Sequence, residues 1–317
     1  MRLPELRIGS LVARIPIVQG GMAVRISTAP LASAVANEGG IGIIAATGMS
    51  VAELRNEIRK ARALTKGLIG INCMFAVREF ANLVKAAMQE GIDLVVSGAG
   101  FSRDMFQWGR EYRIPIVPIV SSARLARMAE KMGAAAVVVE GKEAGGHLGT
   151  DESMCKIVPE VKEAVKIPVI AAGGIVDGSD IVQAFRMGAD GVQMGTRFAA
   201  SVESAASDEF KQLYVRSTPQ DVVLIESPVG LPGRALKNQF WRKLTTGQDL
   251  TPANCDGCLK RCGRSFCILH ALEAAQQGDM ENGLVFSGAS VPRVKDILPV
   301  KAIFQRLLEQ VRLASES

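Results

Sequence analysis

Three groups of residues in this chain have the types and spacing to do chemistry. The first centres on His147, one of only two histidines, in the stretch Glu143-Ala144-Gly145-Gly146-His147-Leu148-Gly149. Flanking glycines let backbone come close to a ligand, and an imidazole that titrates near neutrality is a natural acid or base there. A lone histidine is more often structural or merely exposed, so its placement in the fold has to decide. The second group is a pair of glycine-bearing turns, Ala171-Ala172-Gly173-Gly174-Ile175 and Met194-Gly195-Thr196-Arg197-Phe198. Without Cβ atoms, successive N–H groups can close on a phosphate, and the Thr196 hydroxyl adds a donor. The same glycines could serve only as tight turns. The third group is four cysteines, Cys255, Cys258, Cys262 and Cys267, spaced C-x2-C-x3-C-x4-C and followed by His270. Thiolates this close can ligate an iron–sulfur cluster or zinc; the alternative is reduced thiols packed in a cap. Cys73 and Cys155 stand alone and read as small buried residues.

These residues need elements to position them. Eight apolar runs rich in β-branched residues punctuate the first 200 positions: Ile15–Val18, Ile41–Ala46, Leu68–Cys73, Leu94–Gly98, Ile114–Val120, Ala135–Glu140, Ile167–Ala172 and Gly191–Gly195. Their starts lie 20 to 32 residues apart, the length of a strand, a helix and two loops. Helical stretches intervene. Ser121–Gly133 opens on serine caps and stops at glycine, with Leu125, Met128, Ala129 and Met132 on one face; Asp177–Gly188 is built the same way. Apolar strands alternating with helices imply a covered parallel sheet, and eight units favour a closed (β/α)8 barrel, the TIM barrel, over an open sheet. Active sites of such barrels lie at the C-terminal strand ends. That is where Gln19-Gly20-Gly21-Met22, Asn72, Glu140, the His147 loop and both glycine turns fall. Asn72 and Glu140 would there supply polar contacts to a heterocyclic ligand, and the last two loops are a frequent phosphate site.

Beyond Phe198 the alternation breaks. The sequence predicts a helix at Glu209–Val215, a short strand at Val222–Ile225, a Pro/Gly loop at Ser227–Gly233 and a helix at Ala235–Leu244. Past the cysteines come helices at Ile268–Gln277 and Lys301–Leu313. Residues 1–200 are therefore expected to form the barrel core. Residues 201–317 are expected to be an elaboration that carries the cysteines, covers one mouth and supplies the last barrel helix.

Composition sets the bounds. Of 317 residues, 48% are hydrophobic and 22% charged, as in an ordinary globular protein. A net charge of +5 with no block of five or six like charges argues against a nucleic-acid partner. The longest apolar runs fall far short of the ~18 residues of a membrane helix. Met1–Glu5 lacks the apolar core of a signal peptide, so a cytoplasmic location is expected. The expected partner is a small-molecule substrate, and a homodimer is compatible.

Several motifs together resemble a known family: Pro16–Met22, Glu38–Gly42, Glu143–Gly149, Pro168–Ile175 and Gly188–Phe198. They are similar to the nitronate monooxygenase family, formerly 2-nitropropane dioxygenase, which includes FMN-dependent enoyl-acyl-carrier-protein reductases. The resemblance implies a TIM barrel holding FMN without a covalent bond. It implies that Gly21, Met22 and Ala23 contact the isoalloxazine, that Asn72 and Glu140 make polar flavin and ribityl contacts, and that Gly146 lies close to the flavin. Gly173, Gly174, Gly195 and Thr196 would hold the phosphate, and His147 would be the active-site histidine. The implied activity is oxidation of alkyl nitronates, with His147 assisting substrate activation. The alternative is an NAD(P)H-dependent reductase of an enoyl thioester. The first three cysteines resemble the spacing beside the cluster of dienoyl-CoA-reductase-type iron–sulfur flavoenzymes, although the fourth lies nearer here. Two rival readings stay open: a sugar-phosphate isomerase or aldolase using Lys142 as a Schiff base, and a redox sensor.

Overall fold

The eight apolar runs close into one parallel barrel. A computed structural model of the protein describes residues 3–315. The chain opens with an antiparallel hairpin, β1 (Leu6–Ile8) and β2 (Leu11–Ala13). The barrel strands follow: β3 (Ile17–Gln19), β4 (Ile41–Ala45), β5 (Leu68–Met74), β6 (Leu94–Gly98), β7 (Ile116–Val120) and β8 (Val137–Glu140). After the two-residue β9 (Gly146–His147) come β10 (Val169–Ala172) and β11 (Gly191–Met194). Pairing runs β10-β11-β3-β4-β5-β6-β7-β8 and returns to β10. The expectation of a (β/α)8 TIM barrel is met.

The two-residue period of a strand sorts each run into an inner and an outer layer. Ile41, Ile43, Val138, Ile170 and Ala172 pack inside the barrel, where Leu6, Ile8 and Ala13 of the hairpin join them. A Cβ on Gly191, the first residue of β11, would meet Leu6 at 3.0 Å, so the hairpin stoppers the N-terminal end. Ile44, Val137, Val139, Val169 and Ala171 face outward to the helices. Gly42 is required by that second layer. A Cβ there would lie 1.9 Å from the Ala32 carbonyl oxygen, so the helix Ala29–Asn37 rests directly on β4.

Local signals hold as caps. The Ser122 hydroxyl accepts from the Leu125 N–H at 3.3 Å, and Asp177 with Asp180 forms a capping box ahead of the helix Gly178–Arg186. The terminal helix Val300–Ala314 lies against Gly178–Arg186 and Ala29–Asn37, with Gln310 Oε1 accepting from the Gly178 N–H at 3.0 Å. It thus occupies the place a helix following β11 would take.

The expected helix Ala235–Leu244 starts later. Ala235 and Leu236 belong to β13 (Pro232–Leu236), which pairs antiparallel with β12 (Val222–Glu226) on one side and β9 on the other. Only Gln239–Thr245 is helical, capped by Asn238. Arg234 pairs with Gly146, far back in the sequence, and its carbonyl accepts from the Ser287 N–H at 3.1 Å, so tertiary pairing overrides the local pattern. Among the described residues, no helix is long and apolar enough to cross a membrane.

Candidate active site

The C-terminal ends of the barrel strands surround a cavity of about 250 Å³. Gly21, Met22, Ala23, Asn72, Glu140, Gly146, His147, Gly173, Gly174, Gly195 and Thr196 all line it, so these sequence-predicted residues come together on one wall system. The exposed Lys142 does not line it, and among the described lining residues there is no lysine. The Schiff-base reading therefore loses its nucleophile.

His147 is held by the small sheet rather than by the barrel. Pairing of β9 with β13 places His147 opposite Gly233 and brings the turn between β12 and β13 over the imidazole. There Ser227 Oγ lies 2.8 Å from His147 Nε2, and the Phe286 ring meets the imidazole edge-on at 5.2 Å. Burial pushes the imidazole down to about 4, so it is neutral at pH 7. A neutral ring can accept a proton or donate one N–H, with the tautomer following the direction of the Ser227 hydroxyl.

Glu140 ends β8, and its side chain opens on the cavity rather than on bulk water. Burial pushes its carboxyl up to about 8, which makes it a neutral acid and a hydrogen-bond donor at pH 7. Asn72 Nδ2 donates to the Gly21 carbonyl oxygen at 3.2 Å and so ties β5 to the loop after β3. Its Oδ1 is buried with no partner, as are Gln193 Oε1 and Ser287 Oγ on the same cavity. Three unpartnered polar atoms on one cavity mark a place built for a polar ligand, because leaving them bare costs about 1–3 kcal/mol each.

After β10, Gly173 and Gly174 are both left-handed, with φ of +107° and +73°, a backbone that side chains rarely adopt. Gly195 precedes the short turn Thr196–Ala199, and Thr196 Oγ1 accepts from the Gly288 N–H at 2.9 Å. That bond leaves the Thr196 O–H as a donor and ties the tail segment 286–290 onto the glycine turns. A concave run of N–H groups of this kind suits an anion.

Sequence reasoning missed the tail's share of the wall. Phe286, Ser287, Gly288 and Ser290 line the cavity, as do the apolar residues Ile268, Leu269 and Leu272. The Ser-Gly-Ala-Ser stretch 287–290 was the available signal, another small-residue turn of the kind that marks the loops after β10 and β11. Gln193 was legible as well, a polar residue inside a barrel strand.

The cysteines divide. Cys73 is buried as expected, with its thiol pushed up to about 12 by burial. Cys155 is exposed, contrary to expectation. The helix Met154–Ala164 buries Met154, Ile157, Val158 and Val161, a stripe that excludes position 155. Cys255 and Cys262 are exposed, and Cys258 and Cys267 half-buried, around a second cavity of about 170 Å³. Among the described residues, no group of three His, Cys, Asp or Glu side chains is placed to hold a metal ion. The expected centre is thus not preformed, although all four cysteines line the one cavity. His270 pairs instead with Asp256 at 2.9 Å.

Comparison with known proteins adds to this geometry. A family model described as nitronate monooxygenase matches residues 6–310. A 5-hydroxy-7a-methyl-1-oxo-octahydro-1H-indene-4-carboxyl-CoA dehydrogenase of Mycobacterium tuberculosis is 34% identical over 235 residues, 73% of this chain. The matched stretch spans 66% of that relative's length, just under two thirds. A probable nitronate monooxygenase of Staphylococcus saprophyticus is 29% identical across 98% of both chains. Among solved structures, FabK from Thermotoga maritima superposes with a TM-score of 0.86 at 36% identity, over 95% of this chain and 94% of that one.

Proposed function

This chain belongs to the nitronate monooxygenase family and is an oxidoreductase, and from that premise we propose that it is an FMN enzyme that oxidises alkyl nitronates at the barrel mouth. The observation that carries the reading is the convergence of a neutral His147, a neutral Glu140 and the unpartnered Asn72, Gln193 and Ser287 on one 250 Å³ cavity. These groups fit FMN. Gly173, Gly174, Gly195 and Thr196 would hold its phosphate, and Gly21, Met22, Ala23 and Gly146 would lie against its ring. Asn72, Gln193 and Glu140 would pair with its polar edges and ribityl chain. When bound, FMN supplies the two-electron chemistry that no side chain here can perform.

The chain's own residues do the rest. His147 faces the cavity with Ser227 on Nε2, so its other nitrogen is available to a substrate. A neutral imidazole holds a nitronate oxygen through N–H, or takes an acidic proton from the carbon beside a nitro group. An anionic nitronate beside the ring raises its basicity and strengthens the contact. Phe286, Ile268, Leu269 and Leu272 exclude water and receive the alkyl part.

A second reading has its own support: reduction of an enoyl thioester with electrons from NADH or NADPH. The apolar wall of Ile268, Leu269, Leu272, Met74 and Ile119 suits a hydrocarbon chain, and one relative's name carries a CoA thioester. His147 would there position the thioester carbonyl. Protein loaded with FMN and kept free of oxygen separates the two. Loss of flavin colour on adding an alkyl nitronate alone supports the monooxygenase, and loss on adding NADH or NADPH supports the reductase. Failure to retain FMN at all sinks both.

A further inference from the structure

Beside the active-site cavity, four thiols line a second one of about 170 Å³ and take no part in the reading above. None is in a disulfide, and Cys255 and Cys262 are exposed, although free cysteine is ordinarily among the most buried residue types. Packing therefore does not explain their presence. The segment 251–267 has no helix or strand, only a single bridge between Leu259 and Val77. Three backbone bonds pin it beside the thiols. The Arg78 N–H donates to the Cys258 carbonyl at 2.9 Å, the Lys260 N–H to the Ala76 carbonyl at 2.9 Å, and the Gly263 N–H to the Pro228 carbonyl at 2.7 Å. Arg78, Lys260 and Arg264 stand on the same wall. Four thiolates around one divalent ion carry a net charge of about −2, which these three cations offset. Asp256, the acid on that wall, is paired with His270.

We propose that Cys255, Cys258, Cys262 and Cys267 are the ligands of a thiolate-bound metal centre, either one zinc ion or an iron–sulfur cluster. The four sulfurs need to draw in, because no three such groups among the described residues yet stand as a ligand set. All four thiols line one cavity of about 170 Å³, in a segment already held by three backbone bonds, and a metal would draw them in to zinc–sulfur bonds of about 2.3 Å. Closure has a consequence next door. Cys267 caps the helix Ile268–Gln277, Ile268 lines both cavities, and Leu269 and Leu272 line the active site. A metal drawing in Cys267 locks that helix as a wall of the active site.

The test reads metal and thiols, neither of which depends on FMN, so its failure is distinct from failure of the flavin reading. Full-length protein prepared without oxygen is incubated with zinc chloride, or with ferrous iron and sulfide, and passed through gel filtration. The expected result is about one zinc per chain, or two to four irons with matching sulfide, and four thiols withdrawn from a thiol reagent under native conditions. In the double variant Cys258→Ser and Cys262→Ser, loading should fall below about a tenth of an equivalent. Wild-type protein that retains neither metal and keeps all four thiols reactive overturns the proposal, whether or not the variant folds. Equal loading of variant and wild type overturns it too.

Discussion

Glu140→Gln should abolish a pH dependence of stability that the wild type owes to one buried carboxyl. In the folded chain the Glu140 carboxyl stands at about 8 against an ordinary 4.5 because burial penalises its charged form. Between those two values the folded protein keeps a proton that the unfolded chain has released. Stability from this group is therefore fully present below the ordinary value and is lost as pH rises through 8. At ~1.4 kcal/mol per unit, the full shift is worth about 5 kcal/mol, of which about 3.5 kcal/mol is lost between pH 5 and pH 8. An isosteric amide has no proton to lose. The assay is urea unfolding of flavin-free protein followed by tryptophan fluorescence, at pH 5 and pH 8, for wild type and variant. The variant cancels every other titrating group. The wild type should lose about 3.5 kcal/mol more than Glu140→Gln over that interval, and a difference flat to within about 1 kcal/mol refutes the buried-acid argument.

Three further outcomes are expected. With only two histidines, the imidazoles can be followed by NMR: His147 should stay neutral from pH 7 down to about pH 5, its contribution to stability vanishing as pH falls through 4, while midpoint titration near 6.5 contradicts its burial. Gly174→Ala forces a side chain onto a φ of +73° with its Cβ 3.0 Å from Glu143 Cβ, which should weaken FMN retention by about tenfold or more with the circular dichroism spectrum unchanged; unaltered affinity removes Gly174 from the phosphate site. Ser227→Ala deletes the 2.8 Å bond to His147 and should lower kcat by about five- to tenfold with a smaller change in KM, whereas an unchanged kcat means Phe286 alone orients the ring.

The barrel was legible because it is made of local signals repeated eight times. Runs such as Ile41–Ala45 and Val137–Glu140 carry the apolar pattern of a covered parallel strand, and the intervening helices carry their own caps. Once eight such units are counted, the barrel rule puts the residues after each strand on one face. His147, Glu140, Asn72 and the glycine turns were found together in that way. Cys155 was misread because a cysteine's composition-based tendency to be buried says nothing about which side of its helix it occupies.

The sequence by itself determined the strand and helix units, the glycines that the loops after β10 and β11 require, and the residue types available at the barrel mouth. These depend on periods of two and 3.6 residues, which a short window contains. Only the tertiary structure decided that Ser227, 80 residues on, meets His147 and that Ser287 and Gly288 close over Thr196. Those contacts are fixed by β9 pairing with β13 and by the tail's return across the barrel mouth. Such pairings are set by which distant surfaces fit once the barrel has closed, and no local pattern encodes them.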